Sequence, residues 1–280
     1  MNVDDQFKLA TYNIQDAGIE TKGRTETNRF RLLTGVNLQY DCSDGKMGAF
    51  TLRANNPDLA ITETVAFLMG VDSVNELEQA HPALKLWDAW ACDHRELGGV
   101  YSEAFHSQYP KVVKGLIDNP LSTHHRMTTL IPDKFPIPGN TYDENVKQGK
   151  YSLMPCLHSY HFLSDGESLF LHATQASADI PVGVFPHNVY QVQFMLLFTA
   201  KLTGLKPVMA THHIHDAHIY MNQMAEVEIM QKRDSSDHRI DVGMHMELDE
   251  LKSHNVYNIR NRFFTSDFST QGPLKMKVDS

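Results

Sequence analysis

Three features of this 280-residue sequence could carry chemistry. Cys156, in the run LMPCLHSYHF, bears a thiol whose ionised form is a nucleophile, although a lone buried cysteine more commonly acts as an inert small hydrophobe. Glu63 stands within PDLAITETVAFLM, among Ile61, Val65, Phe67 and Leu68. A carboxyl group there loses hydration unless partners replace it, and one with raised proton affinity can move protons near neutral pH. The plain alternative is a boundary glutamate that snorkels to water. The third feature is the histidine-rich run THHIHDAH over 211–218, which invites a metal site built from His213, His215, Asp216 and His218. Strand geometry opposes it, because 213 and 215 share one face while 216 and 218 take the other. The spacing also differs from that of two histidines one helical turn apart. We therefore expect no metal centre. A phosphate-cradling glycine loop and a serine nucleophile elbow are both absent, the Gly98-Gly99 pair being too short for the former.

The elements that must hold these residues are partly legible. Residues 57–69 open at Asn-Pro, close at Gly70 and are apolar on most faces, which predicts a largely buried helix carrying Glu63. Residues 189–203 predict a second buried helix, the central one, with Asn188 at the N-cap and Gly204 at the end. Segments 152–163 and 168–174 flank Ser164-Asp165-Gly166-Glu167, a hairpin signal, and 208–220 reads as a further strand. Residues 131–150 contain Pro and Gly with little periodicity and read as a surface loop. Helices interleaved irregularly with hairpin-connected strands predict an α+β fold with a mixed, largely antiparallel sheet around a central buried helix. A single domain spanning 1–280 is expected, since no repeat or convincing linker interrupts the chain.

Composition narrows the partners. A net charge of −9 without any basic run excludes a grip on polymeric nucleic acid, which requires a local Lys/Arg surplus. Three widely spaced cysteines suit a reducing compartment better than a disulfide framework. The start, MNVDDQFKLATYN, lacks the apolar core of a signal peptide, and no apolar stretch reaches the ~18 residues that span a bilayer. A cytoplasmic protein without membrane partners is expected.

Six segments, in order from residue 24 onward, resemble the thymidylate synthase family. KGRTETNRFRLLTG resembles its N-terminal arginine loop, ETVAFLMG its ELLWFLxG helix, and LWDAWACDHRELGGVY its IWDxW…LGPVY segment. MPCLHSYHF resembles the PPCH nucleophile strand, QASADIPVGVFPHN the QRSCDxxLGxPFN run, and HDAHIYMN the GDAHIYxNH run. The resemblance implies that Cys156 adds to C6 of a uracil nucleotide, so that C5 attacks the one-carbon unit of the co-substrate 5,10-methylenetetrahydrofolate, taking dUMP to dTMP. It implies Glu63 as the proton relay, Tyr101 beside the nucleophile, and Trp87, Trp90 and Asp179 on the folate side, with Asp179 close to the chemistry. Asn188 would read the base, accepting from N3–H and donating to O4. His218 and Tyr220 would hold the sugar hydroxyl, and an obligate homodimer would share residues across its interface.

The sequence departs from that family at the phosphate end. The family's Arg-Arg pair corresponds to His124-His125, or to His125-Arg126 in a register shifted by one. The arginine of QRSCD is Ala176, while Ser177 and Arg24 remain. Guanidinium forks bind phosphate bidentately, whereas histidine does so only when protonated. Leu157 also stands where the family has a histidine after the nucleophile, and the C-terminal PLKMKV is followed by Asp279-Ser280 in place of the usual ending. The alternatives are a hydroxymethylase of the same fold, in which water captures the methylene at C5, and a nucleotide-binding homologue with impaired catalysis.

Overall fold

The computed structural model describes residues 1–22, 27–253 and 255–277; Arg24 lies outside them. Helix α1 (Val3–Ala17) is capped by Asn2, whose side chain accepts from the Asp5 N–H. Strands β1 (Ile19–Lys22), β2 (Asn28–Leu32), β3 (Val36–Asp41) and the two-residue β4 (Met47–Gly48) follow. Helices α2 (Pro57–Leu68), α3 (Val74–Ala80) and α4 (Ser102–Asp118) precede strand β5 (Arg126–Thr128), and α5 (Tyr142–Lys147) precedes the hairpin of β6 (Leu157–Ser164) and β7 (Ser168–Asp179). Helix α6 (Val189–Thr203) leads to β8 (Lys206–Tyr220) and α7 (Met224–Lys232), then β9 (Arg239–Ile240), β10 (Val242–Met244), α8 (Ile259–Arg262) and β11 (Phe263–Thr265) close the order.

Seven strands form one sheet in the order β1-β2-β8-β7-β6-β5, with β3 also paired to β8. Its ladders are antiparallel except β7–β8, which run parallel in register from Ser168↔Lys206 to Asp179↔His218. Parallel neighbours need a crossover, and α6 supplies it. The expected mixed, largely antiparallel α+β fold is what forms.

Helix α6 is apolar around its circumference and buried from Val189 to Ala200, as is the Glu63-bearing α2 from Ala60 to Leu68. A helix without a polar stripe can only be stable as the centre of a core. Phe194 and Phe198 stack 5.4 Å apart, and Phe263 meets both edge-on. Leu169, Leu171, Ala173 and Gln175 of β7, with Ala210, His212 and Ile214 of β8, turn inward to this core. The opposite sheet face carries half-buried Phe170, His172 and Thr174 and, on β8, His213 and His215.

Three expectations need correction. The hairpin's first strand starts at Leu157 and not at 152. Pro155 has no N–H to give a ladder, and the Cys156 N–H goes to a tyrosine oxygen, so regular pairing begins after the nucleophile candidate. Asn188 stands at the N-cap position of α6 as expected but makes no side-chain capping bond: it is already helical, because the wide turn Ile180–Asn188 leads directly into the helix, and its side chain is used elsewhere. The stretch 131–150 contains α5, opened by a capping box between Thr141 and Glu144 that the sequence TYDE spells out.

Candidate active site

Cys156 sits at the mouth of β6, half-buried, whereas Cys42 and Cys92 are buried; none of the three is in a disulfide. Its backbone is held twice: its N–H donates to Tyr101 Oη at 3.0 Å, and its carbonyl accepts from the Ala176 N–H at 2.8 Å. The approach to it is fixed at Gly98, which has φ of 72° and stands against the Lys150 carbonyl. A Cβ there would lie 2.2 Å from that oxygen, so only glycine lets the 97–101 segment run along 150–152 and bring Tyr101 to Cys156. Burial, and then the neighbouring Cys156, push the Tyr101 phenol well above its ordinary value, so it stays a neutral hydroxyl.

Glu63 is buried but well partnered. Trp87 Nε1 donates to Oε1 at 2.7 Å, while His187 Nε2 and Gln191 Nε2 each lie 2.7 Å from Oε2. These three N–H groups replace the water that the apolar helix removes, which accounts for a carboxyl group among Ile61, Val65 and Phe67. Burial alone would lower the His187 pKa, but the Glu63 carboxylate outweighs it and raises that pKa above the usual 6.5. Glu63 connects back to Cys156 through rings: Trp87 meets Tyr101 at 6.1 Å and Phe67 at 5.6 Å between centroids.

Asn188 joins the same cluster. Its Oδ1 accepts from Gln175 Nε2 at 3.1 Å, and its Nδ2 donates to Gln191 Oε1 at 2.8 Å. Gln175 Oε1 in turn faces His212 Nε2 at 2.8 Å. His212, within the histidine run, is therefore a core residue; burial pushes its pKa down to about 3 and leaves it neutral.

At the C-terminal end of the parallel strand pair, Ser177 Oγ donates to Asp216 Oδ2 at 2.8 Å, and Arg31 Nε donates to Asp216 Oδ1 at 2.7 Å. Arg29 completes the group 3.7 Å from Asp216. Arg29 and Arg31 lie opposite Tyr220 and His218 in the β2–β8 ladder, so the four side chains share a face. Burial, then the adjacent Arg29, lower the His218 pKa to about 4, so the ring is neutral at pH 7. Burial would raise the Asp216 pKa, but the bonds from Arg31 and Ser177 prevail and lower it.

The sequence model of the family described as thymidylate synthase matches residues 5–279. The chain belongs to that family. The thymidylate synthase of Aliivibrio fischeri is 31% identical over 244 residues, covering 81% of each chain. That of Idiomarina loihiensis is 26% identical over 286 residues, covering 96% of this chain and 98% of the relative. The fold matches the thermostable thymidylate synthase A of Bacillus subtilis with a TM-score of 0.82 over 99% of both chains, at 17% identity. Thymidylate synthases are methyltransferases, and their co-substrate is 5,10-methylenetetrahydrofolate.

Within this thymidylate synthase fold, Phe67, Trp87, Trp90 and Tyr101 form one aromatic cluster. Trp90 is half-buried and packs edge-on to the buried Trp87, 5.5 Å between centroids, and Trp87 in turn meets Glu63 and Tyr101. Asp179 ends β7 opposite His218 of β8, and its Oδ2 accepts from Gln223 Nε2 at 2.7 Å. Gln223 also donates to the Lys277 carbonyl at 2.9 Å, tying the C-terminal PLKMK segment to the same corner.

The His124-His125-Arg126 triplet divides. The His125 ring is buried, 2.8 Å from the Asn119 carbonyl, while His124 and Arg126 are exposed on the far side of the sheet order at β5. Five residues of the cluster were missed by reading motifs alone: Arg29, Arg31, Gln175, His187 and Gln191. Gln191 did carry a signal, since it and Gln193 are buried-side amides in a mostly apolar helix, the same kind of anomaly that singled out Glu63. Among the described residues no group of three His, Cys, Asp or Glu side chains is arranged to hold a metal ion, and no helix is long and apolar enough to cross a membrane.

Proposed function

We propose that this enzyme methylates dUMP at C5 through a covalent adduct on Cys156. The observation that carries this reading is the connection of Cys156, through Tyr101 and Trp87, to Glu63, and from Glu63 through Gln191 to Asn188. A thiolate, a proton-relaying carboxylate and a base-reading amide are the groups that addition at C6 and substitution at C5 require. The Cys156 sulfur adds to C6, and electron density moves to C5, which forms its new bond to the one-carbon unit. Methylenetetrahydrofolate supplies that unit and the hydride that completes the methyl group.

Each residue then has a defined task. Tyr101 positions the nucleophile's backbone, Glu63 relays protons toward O4 and the folate, and Asn188 pairs with N3–H and O4. His218 and Tyr220 hold the sugar hydroxyl, and Trp87, Trp90 and Asp179 form the folate side. Ser177 binds the phosphate with Arg24, and Arg29 and Arg31 make up for the guanidinium missing at Ala176. We further infer one catalytic domain acting in the cytoplasm as a homodimer. The open sheet face of Phe170, His172 and Thr174 supports such pairing, and the exposed His124 and Arg126 would act across the interface, whereas the buried His125 holds the Asn119 carbonyl.

A hydroxymethylase is the second reading, and His187 is what favours it. Leu157 leaves an apolar side chain where the family has a histidine, while His187 brings an imidazole onto Glu63 beside the base-reading Asn188. That pair could take the proton from a water molecule attacking the exocyclic methylene. Incubation with dUMP and methylenetetrahydrofolate decides by product mass: dTMP with dihydrofolate supports methylation, and 5-hydroxymethyl-dUMP with tetrahydrofolate supports hydroxymethylation. Absence of a 5-fluoro-dUMP adduct at Cys156 would leave only a nucleotide-binding homologue with impaired catalysis.

A further inference from the structure

Six buried or half-buried side chains form one continuous hydrogen-bond chain across the core. Tyr40 Oη lies 3.4 Å from His212 Nδ1, and His212 Nε2 lies 2.8 Å from Gln175 Oε1. Gln175 Nε2 donates to Asn188 Oδ1 at 3.1 Å, Asn188 Nδ2 donates to Gln191 Oε1 at 2.8 Å, and Gln191 Nε2 donates to Glu63 Oε2 at 2.7 Å. Every link donates toward Glu63.

Chemistry at the Glu63 end imposes this direction. A carboxylate only accepts, so Gln191 must show it an N–H and turn its own oxygen toward Asn188. Asn188 must then answer with its NH2 group and leave its oxygen toward Gln175. The opposite end is softer, because a neutral imidazole can exchange tautomers and a phenol can rotate to donate or accept.

An amide offers two acceptor sites and two N–H donors, and Asn188 spends one of each inside the chain. One acceptor and one donor remain. They match N3–H and O4 of uracil, whereas cytosine presents an acceptor at N3 and a donor at N4 and would require the amide to turn over. In the turned state Asn188 Oδ1 would face Gln191 Oε1, and Nδ2 would face Gln175 Nε2. Gln191 cannot follow without setting its oxygen against the Glu63 carboxylate, and unpaired buried polar groups are what rejects a mismatched ligand.

We propose that Gln191 and Gln175 are specificity-determining positioning residues that hold the Asn188 amide in its uracil-reading orientation, with Gln191 the stronger lock because it is anchored on Glu63. The proposal rests on the uracil-nucleotide reading above, and adds residues that do not themselves touch the base.

Equilibrium titration of dUMP and dCMP against the wild-type chain, Gln191→Met and Gln175→Met tests it, since methionine keeps the volume and removes the amide. Wild-type protein is expected to prefer dUMP. Gln191→Met should lower the dUMP-to-dCMP affinity ratio by about tenfold or more, the size of one hydrogen bond, and Gln175→Met should lower it less. A folded Gln191→Met protein with the wild-type ratio, or with both affinities reduced in parallel, overturns the proposal. So does a wild-type protein without preference for dUMP. If Gln191→Met fails to fold, Gln175→Met decides alone, a lowered ratio supporting the lock and an unchanged one refuting it. A 5-fluoro-dUMP adduct, measured by mass on wild-type protein, reports the Cys156 chemistry separately from this ratio.

Discussion

His187 Nε2 lies 2.7 Å from Glu63 Oε2, so the histidine that directly precedes Asn188 is bonded to the buried carboxylate of another helix. Because that contact raises the His187 pKa above 6.5, protonation is favoured in the folded chain over the unfolded one. The resulting stability is fully present below about pH 6.5 and is lost as pH rises through the raised folded pKa. Chemical denaturation of wild type and His187→Phe from mildly acid to mildly alkaline pH should show that decline in wild type alone.

The same pair bears on the last chemical step. If His187 assists water, His187→Phe should shift the product mixture from 5-hydroxymethyl-dUMP toward dTMP; if the enzyme only methylates, product identity should stay constant while the rate changes. Mass analysis of the nucleotide product distinguishes these outcomes.

Thiol reactivity should be unequal. Cys42 is fully buried, and burial pushes its pKa up to about 12, while Cys92 is also enclosed. Iodoacetamide on the native protein should label Cys156 and spare the other two until denaturant is added, with dUMP slowing the labelling. Peptide mass mapping reads this, and equal labelling of all three would refute the assigned accessibility.

Tyr101→Phe removes the oxygen that accepts the Cys156 N–H without changing ring packing. We expect a loss of about 1–3 kcal/mol in stability from the unpaired donor. A fall in kcat on the order of 10- to 100-fold should accompany it, with KM little altered, because a small displacement of the nucleophile suffices. Denaturant titration and steady-state kinetics measure the two effects.

Arg31→Ala should weaken dUMP binding by roughly 10- to 100-fold, the range for a hydrogen bond to a charged group. Binding of deoxyuridine, which lacks the phosphate, should be unaffected. Calorimetric titration of both ligands checks this, and equal losses would assign Arg31 to folding through Asp216 instead of to phosphate binding.

Much of this site could be read along the chain because family motifs are local. Cys156 after proline, Glu63 in an apolar helix and Asn188 before another are visible as residue types in a pattern, and the buried helices followed from their uniform apolarity. The hairpin around Asp165-Gly166 followed from turn chemistry. What these patterns could not supply was the partners. Whether Glu63 was a snorkelling surface carboxylate or a satisfied core group depended on Trp87, His187 and Gln191, which are 24, 124 and 128 residues away. Asn188 looked like a helix cap because capping is a local rule, yet Gln175 and Gln191 claim its amide in the folded chain. Likewise Arg29 and Arg31 were only charges on a short strand until the β2–β8 pairing set them beside Asp216 and Ser177. Residue chemistry and short-range periodicity are properties of sequence, and they were enough for the fold class, while the resemblance to family motifs singled out Cys156 as the nucleophile candidate. Hydrogen bonds between distant strands and helices exist only after packing, so the direction of the amide chain and the gathering of Arg29 and Arg31 around Asp216 were decided by tertiary structure alone.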